Sequence, residues 1–263
     1  MGFSEPKYVG HCAIRGLGVF TNGQPFEPVV NQIYGRGIRV GYVPVSPTKV
    51  YWFICYNSSS PGGYFKCIDR DNKTISIMKL LYSSVFKHII AGENIKDPSV
   101  LKEQAQRLVQ NWPTELRNII DLSPDETISR ALLVDRWLWP TLSPSGSRGR
   151  VVLAGDAWHP MTPNLGQGAC CALEDAIVLA TMLASAIQSS GPLSVEKALS
   201  SYETERWRRV FPLTIRSNVI GSLLQLENPL ICSLRDTFIV PKLVRLGPML
   251  QHTNFDLSST LRR

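Results

Sequence analysis

Residues 150–175, RVVLAGDAWHPMTPNLGQGACCALED, decide how the chain is read. An apolar run, Val151–Ala154, has the character of a strand and delivers Gly155 and Asp156 at its carboxyl end. A proline-bearing loop follows, and Gly166-Gln167-Gly168 then opens an apolar helix that is predicted to continue to Ile187. Such a helix of 22 residues spans roughly 33 Å, enough to cross a domain. Its first N–H groups have no partner within the helix, and the macrodipole makes that end attractive to anionic or electron-rich atoms. One short segment therefore sets a hydroxyl acceptor, Asp156, beside an electron-poor backbone cradle. A bulky cofactor with a polyol and a polar ring edge needs both.

Plainer readings of the same residues stand beside this one. Asp156 could cap its own turn, and Gly-x-Gly before a helix is a weak signal alone. Gly166-Gln167-Gly168-Ala169-Cys170-Cys171 mimics a dinucleotide fingerprint but fails it. Cys171 occupies the third small position, and residues 155–166 form a long loop where a tight turn is required.

Taken together, Gly155-Asp156-Ala157, Trp158-His159-Pro160, Pro163, Gly166-Gln167-Gly168-Ala169 and Glu174-Asp175 resemble the second flavin-binding motif of the FAD-dependent aromatic hydroxylases. These are the class A flavin monooxygenases built like p-hydroxybenzoate hydroxylase, with salicylate hydroxylase, zeaxanthin epoxidase and plant monooxygenases as relatives. The resemblance implies a cofactor site made of Gly155, Asp156, Ala157, Pro163, Gly166, Gln167, Gly168 and Ala169. In it Asp156 would bond a ribitol hydroxyl, and the backbone of Gly166, Gln167 and Gly168 would face the pyrimidine edge of the isoalloxazine. It also implies that NAD(P)H acts as a transient reductant of FAD. O₂ then forms a flavin C4a-hydroperoxide that hydroxylates or epoxidises an aromatic or other electron-rich small molecule. The cofactor carries that chemistry, so no catalytic side chain is assigned. His159, between Trp158 and Pro160, reads as a residue that shapes the loop.

The chain also differs from the family pattern. No strand–Gly-x-Gly-x-x-Gly–helix unit precedes residue 150, and the family's intervening Asp-Gly motif is absent. Gly35-Arg36-Gly37 lies among residues of β character and opens no helix. The expectation is therefore a mixed α/β (α+β) chain. It would combine an antiparallel substrate-domain sheet with the C-terminal part of a Rossmann-like FAD-binding domain whose N-terminal βαβ is missing. The alternative function is a non-enzymatic fragment or interaction protein unable to hold FAD alone. A nicotinamide dehydrogenase is a third reading, weakened by the failed fingerprint.

Composition supports a folded chain. Of the 263 residues, 44% are hydrophobic and 19% charged, which excludes general disorder. Lys and Arg number 28 against 21 acidic residues. They are scattered without the stripe or module of a nucleic-acid binder. Six cysteines without Cys-x-x-Cys, among them Cys67 and the adjacent Cys170 and Cys171 that are expected to face close-packed neighbours, point to reduced thiols inside the cell. The compartment would be cytoplasm or plastid, with any targeting region missing from this stretch. Four dispersed histidines suggest no metal site. Charges interrupt the apolar tail, Ile215–Leu250, so no transmembrane segment is expected there, while peripheral membrane contact stays open.

Three regions are expected: 6–95 as the substrate-domain sheet, 96–190 as helices, return strand and flavin motif, and 191–263 as a helical segment. Strands are predicted at Ala13–Val19, Asn31–Val45, Val50–Tyr56 and Ile75–Met78, broken by Asn22-Gly23, Ser46-Pro47 and 58–63. Trp52 and Phe53 are read as core, with substrate contact as the other reading. Asp97 and Pro98 start one helix, Pro113 a second through Ile120, and Ser129–Trp139 returns as a strand. Arg136 matches a family position near the site entrance, or serves a surface ion pair. Ser194 is expected to cap a helix, Val195–Val210, whose basic end Arg206–Arg209 would be solvated. Glu174 and Asp175 are likewise expected at the surface.

Overall fold

A computed structural model describes residues 1–58, 97–188, 192–243 and 255. They fall into two compact units. The first comprises Met1–Val9, Val134–Leu223 and Ser233–Arg263; the second comprises Gly10–Leu133 and Leu224–Cys232. The expected strand Ile75–Met78, Cys67 and the break over 59–63 lie outside the described residues.

The second unit is built on a five-stranded sheet. Its strands are β1 (Lys7–Val19), β2 (Asn31–Tyr34), β3 (Ile38–Ser46), β4 (Lys49–Asn57) and β5 (Ser129–Asp135), in the order β2-β3-β4-β1-β5. The β1–β4, β3–β4 and β2–β3 pairs are antiparallel. The single strand expected over Asn31–Val45 is instead a hairpin. Gly37, at φ +66°, turns the chain, and Gly35 N–H bonds the Ile38 carbonyl, so Asn31 pairs with Tyr42. The return strand stops at Asp135, short of the expected Trp139.

Two helices, α1 (Pro98–Leu108) and α2 (Thr114–Asp121), cover one face of this sheet. Asp97 caps α1 by accepting from Ser99 N–H, with Pro98 at the first turn, as the sequence predicts. Leu101, Ala105, Leu116, Ile119 and Ile120 of the helices and Cys12, Ile14, Trp52 and Ile54 of the sheet are all buried. The strands approach the helices closely because β1 carries glycines on that side. A Cβ at Gly16 would lie 2.7 Å from the Trp52 ring, and one at Gly18 would lie 2.7 Å from the Ile119 carbonyl. Trp52 is a core residue, donating its indole N–H to Ser123 Oγ at 2.7 Å. Phe53 points to the opposite face, its ring lying over Gly41.

The first unit is helical apart from a short hairpin, β6 (Ser147–Arg148) with β7 (Val151–Val152). Its long helices are α3 (Gly168–Gln188) and α4 (Pro192–Leu224), followed by α5 (Pro229–Leu234), a π-helical turn at Arg235–Ile239 and α6 (Val240–Leu243). Ser194 lies inside α4 and not at its start. The helix also runs 14 residues beyond the expected end at Val210, with Pro212 in its interior. Proline there removes an N–H and crowds the preceding turn, at a cost of about 3 kcal/mol. Contacts on both sides outweigh it: Val210, Leu213 and Ser217 are all buried.

By length and composition α3 is the one helix among the described residues that could cross a bilayer. It carries Glu174 and Asp175 in its second turn, both buried in ion pairs with α4.

Candidate functional site

The site is assembled on the first unit. Only Val151–Val152 of the expected strand Val151–Ala154 are paired; Leu153 and Ala154 continue extended into a single 3₁₀ turn, Gly155–Ala157. Glycine is needed at 155 on two counts. Its φ is +56°, and a Cβ would press to 3.3 Å from Ala172 of α3. Trp158 and His159 N–H both bond the Gly155 carbonyl at 2.9 Å, closing the turn. Gly155 is buried, whereas Asp156 and Ala157 are exposed on its outer side.

The loop that follows is held from several directions. Arg136 donates to the carbonyls of Ala157 (2.8 Å), Trp158 (3.0 Å) and Ser4 (3.2 Å), with the Phe3 ring 5.4 Å from its guanidinium carbon. It is therefore a clamp on backbone. Thr162 and Ser217 hydroxyls bond at 2.9 Å, and Asn164 Nδ2 donates to Thr162 Oγ1 and the Ser217 carbonyl, each at 2.8 Å. Gly221 lies so close beneath Asn164 that a Cβ there would overlap the amide.

A 3₁₀ turn over Pro163–Leu165 ends at Gly166, φ +65°, and α3 starts two residues later. The Gln167 carbonyl accepts the first helical bond, from Cys171. No acidic residue occupies the first turn of α3, so no carboxylate of its own neutralises the positive end of the dipole. Space is open above it: a Cβ at Gly166 would meet nothing within 4 Å, and one at Gly168 only Met161 at 3.7 Å and Asp156 Oδ1 at 3.9 Å. The structure thus brings the Asp156 carboxylate beside the helix start. Pro163, Gly166 and Ala169 are exposed there, and Gln167 and Gly168 are half-buried. Cys170 is exposed, against expectation, because it lies on the outer side of the helix; Cys171 beneath it is buried. Burial pushes the Cys171 thiol up to about 11, and Glu174 adds to it.

Sequence reasoning missed what supports this turn. Glu174 and Asp175 are not solvated, and Arg206 is not surface: it is 1% exposed. Asp175 Oδ2 accepts from Gly155 N–H at 2.8 Å and lies 2.7 Å from His159 Nε2; Oδ1 accepts from Arg206 Nε at 2.7 Å. Arg206 also bonds Glu174 (2.7 Å) and the Cys171 carbonyl (3.3 Å), while Arg209 reaches Glu174 at 2.8 Å. Further along α4, Glu203 accepts from Ser145 Oγ and Gly146 N–H at 2.7 Å and from Ser147. One usable signal was in the sequence: two acids on a small-residue helix and two arginines three apart, Arg206 and Arg209, on the next.

Burial alone would raise the Asp175 and Glu174 carboxyls. Hydrogen bonds and charge from His159 and Arg206 on Asp175, and from Arg209 and Arg206 on Glu174, outweigh it and hold both below the ordinary carboxylate range. A depressed native value gives stability that is present above the unfolded value, about 4, and lost as pH falls through the native one. The first unit should therefore hold its helical circular dichroism from pH 7 to 5 and lose it cooperatively below about pH 4. A helical signal unchanged at pH 2 would show that the network contributes nothing.

The FAD binding domain family matches residues 102–217. Monooxygenase 2 of Arabidopsis thaliana is 28% identical, over 98% of this chain and 58% of its own length. Chloroplastic zeaxanthin epoxidase of an Oncidium hybrid cultivar is 29% identical, over 80% of this chain and 27% of its own. Among solved structures, Klebsiella pneumoniae HpxO complexed with FAD and uric acid superposes with a TM-score of 0.62 at 23% identity, over 88% of this chain and 48% of that one. That likeness shows the fold. The chain spans at most 58% of the length of these relatives.

Proposed function

We propose that this chain, which matches the FAD binding domain family over residues 102–217, supplies the ribityl- and pyrimidine-side half of a flavin site in an NAD(P)H-dependent monooxygenase. The observation that carries this reading is the Asp156 carboxylate set beside the open, acid-free start of α3. The residues fit the group. Gly166 and Gly168 leave the room a planar ring edge needs, and the exposed Asp156 is an acceptor for a polyol hydroxyl. Gly155, Ala157, Pro163 and Ala169 frame these contacts, with Gln167 and Gly168 at the helix start. FAD, once reduced, supplies activation of O₂ and transfer of one oxygen atom to an aromatic or otherwise electron-rich small molecule. The protein's own part is to orient the flavin through Asp156 and to favour negative charge on its ring through the α3 dipole. The substrate-domain role falls to the sheet β1–β5, whose face opposite α1 and α2 bears the half-buried Tyr51 and Phe53. Six cysteines without a Cys-x-x-Cys suit a reducing intracellular compartment, cytoplasm or plastid.

The test is a flavin titration of Asp156→Ala. One charge-assisted hydrogen bond is worth about 1.5–3 kcal/mol, so the dissociation constant for FAD should rise roughly 10- to 150-fold. The melting temperature should stay put, because Asp156 is exposed. Equal affinity in the two proteins would remove Asp156 from the site.

A second reading, an interaction module without flavin, is favoured by one feature of α3. Ala169, Leu173, Ala176, Ala180, Ala184 and Ile187 form an uncovered stripe, with Leu173 at 68% and Ile187 at 70% exposure. Self-association without flavin uptake would support that alternative.

A further inference from the structure

We propose that Asp175 and His159 are positioning residues for the flavin: together they hold the 155–159 turn in the shape that presents Asp156 to the ligand. This rests on the functional reading above. One oxygen of Asp175 touches both ends of the turn, Gly155 N–H at its start and His159 Nε2 at its finish. Opposite a carboxylate acceptor, Nε2 carries the hydrogen and donates it. The two residues between these anchors that bear exposed side chains are Asp156 and Ala157. The other oxygen of Asp175 is fixed by Arg206, which is held in turn by Glu174 and the Cys171 carbonyl. The turn is thereby referenced to α3, the same helix whose start would meet the ring edge.

The arrangement is costly as a means of stability alone. Asp175, His159 and Arg206 are all essentially removed from water, and a buried ion pair recovers little more than its own desolvation. What it does secure is a single backbone geometry. Gly155 at φ +56° is otherwise the most permissive residue in the segment, and a free glycine turn would let Asp156 wander.

The discriminating variants are His159→Phe and His159→Gln. Phenylalanine keeps the bulk and loses the donor; the Gln amide nitrogen can stand where Nε2 stands and donate to Asp175 again. Asp175→Asn is the third, since its amide cannot accept from Arg206 on one side while accepting from the turn on the other. Two readouts are taken on the full 263-residue chain: titration with FAD by flavin fluorescence, and amide hydrogen exchange of peptides covering 153–160. His159→Phe and Asp175→Asn should weaken FAD at least 10-fold and speed exchange of the turn at least 10-fold, with exchange of β1 unchanged. His159→Gln should return both readouts to within about threefold of native.

A folded His159→Phe that binds FAD like the native chain overturns the proposal, and so does a His159→Gln as defective as His159→Phe. If Asp175→Asn does not fold, the two His159 variants decide alone. If the native chain takes up no FAD, the functional reading fails and the ligand half of the proposal with it, while hydrogen exchange still decides whether the tether holds the turn.

Discussion

Arg206→Met should lower the unfolding free energy of the first unit by about 3–5 kcal/mol, the usual effect of deleting one partner of a buried ion pair. Methionine keeps most of the volume of the arginine stem, so the loss is electrostatic rather than a cavity. Asp175 would retain Gly155 and His159 as partners, but Glu174 would be left with Arg209 alone. Both carboxylates would remain buried with one cation fewer. Domains of this size are stable by only about 5–15 kcal/mol, so the variant should be near the edge of folding at 37 °C. Urea unfolding followed at 222 nm reads mainly α3 and α4, which lie in this unit. Asp175→Asn in the Arg206→Met background should cost less than in the native chain, with a coupling energy of about 1–3 kcal/mol. A loss under about 1 kcal/mol for Arg206→Met would mean the network is solvated.

The second large effect belongs to the sheet. Trp52→Ala should destabilise the second unit by about 3–5 kcal/mol. The indole is fully buried, fills the space left by Gly16 and donates to Ser123, whose hydroxyl passes a bond on to the Ile119 carbonyl. Glycine at 16 gives the truncated site nothing to collapse with. Trp52→Phe keeps a ring and loses the donor, and should cost about 1–2 kcal/mol. Hydrogen exchange of β1 and β4 follows this unit separately from the helices. A small loss for Trp52→Ala would show that the α1–α2 layer closes over the gap.

What could be read from the sequence follows from how locally each feature is determined. Asp97-Pro98 is a complete helix start in two residues, and Gly166-Gln167-Gly168 marks the approach to a helix because glycine is almost alone in tolerating φ +65°. The hairpin at Gly35–Gly37 was hidden in a run of β-type residues, since one positive φ decides it. Glu174, Asp175 and Arg206 were misread for a different reason. A charged cluster defaults to solvent unless its partner is known, and Arg206 is 31 residues from Asp175. Pro212 misled in the same way: its local penalty is real, but burial on both sides outweighs it. Arg206 and Ser217, which brace the candidate site from α4, lie outside the motif and are not visible in it.

The Asp175 tether also has a consequence for the order of events during synthesis. Gly155 and Asp175 leave the ribosome before Arg206, which follows Asp175 by 31 residues, or about 2–6 s at ordinary rates of chain growth. Through that interval α3 carries two carboxylates with no cation to receive them. Ser4 and Phe3 wait longer still, until Arg136 arrives. The sheet strands β1–β4, by contrast, can pair among themselves almost as soon as they appear. The flavin-side turn is therefore among the last parts of the chain to take shape, and the nascent chain is most exposed to misassembly just before residue 206 is made.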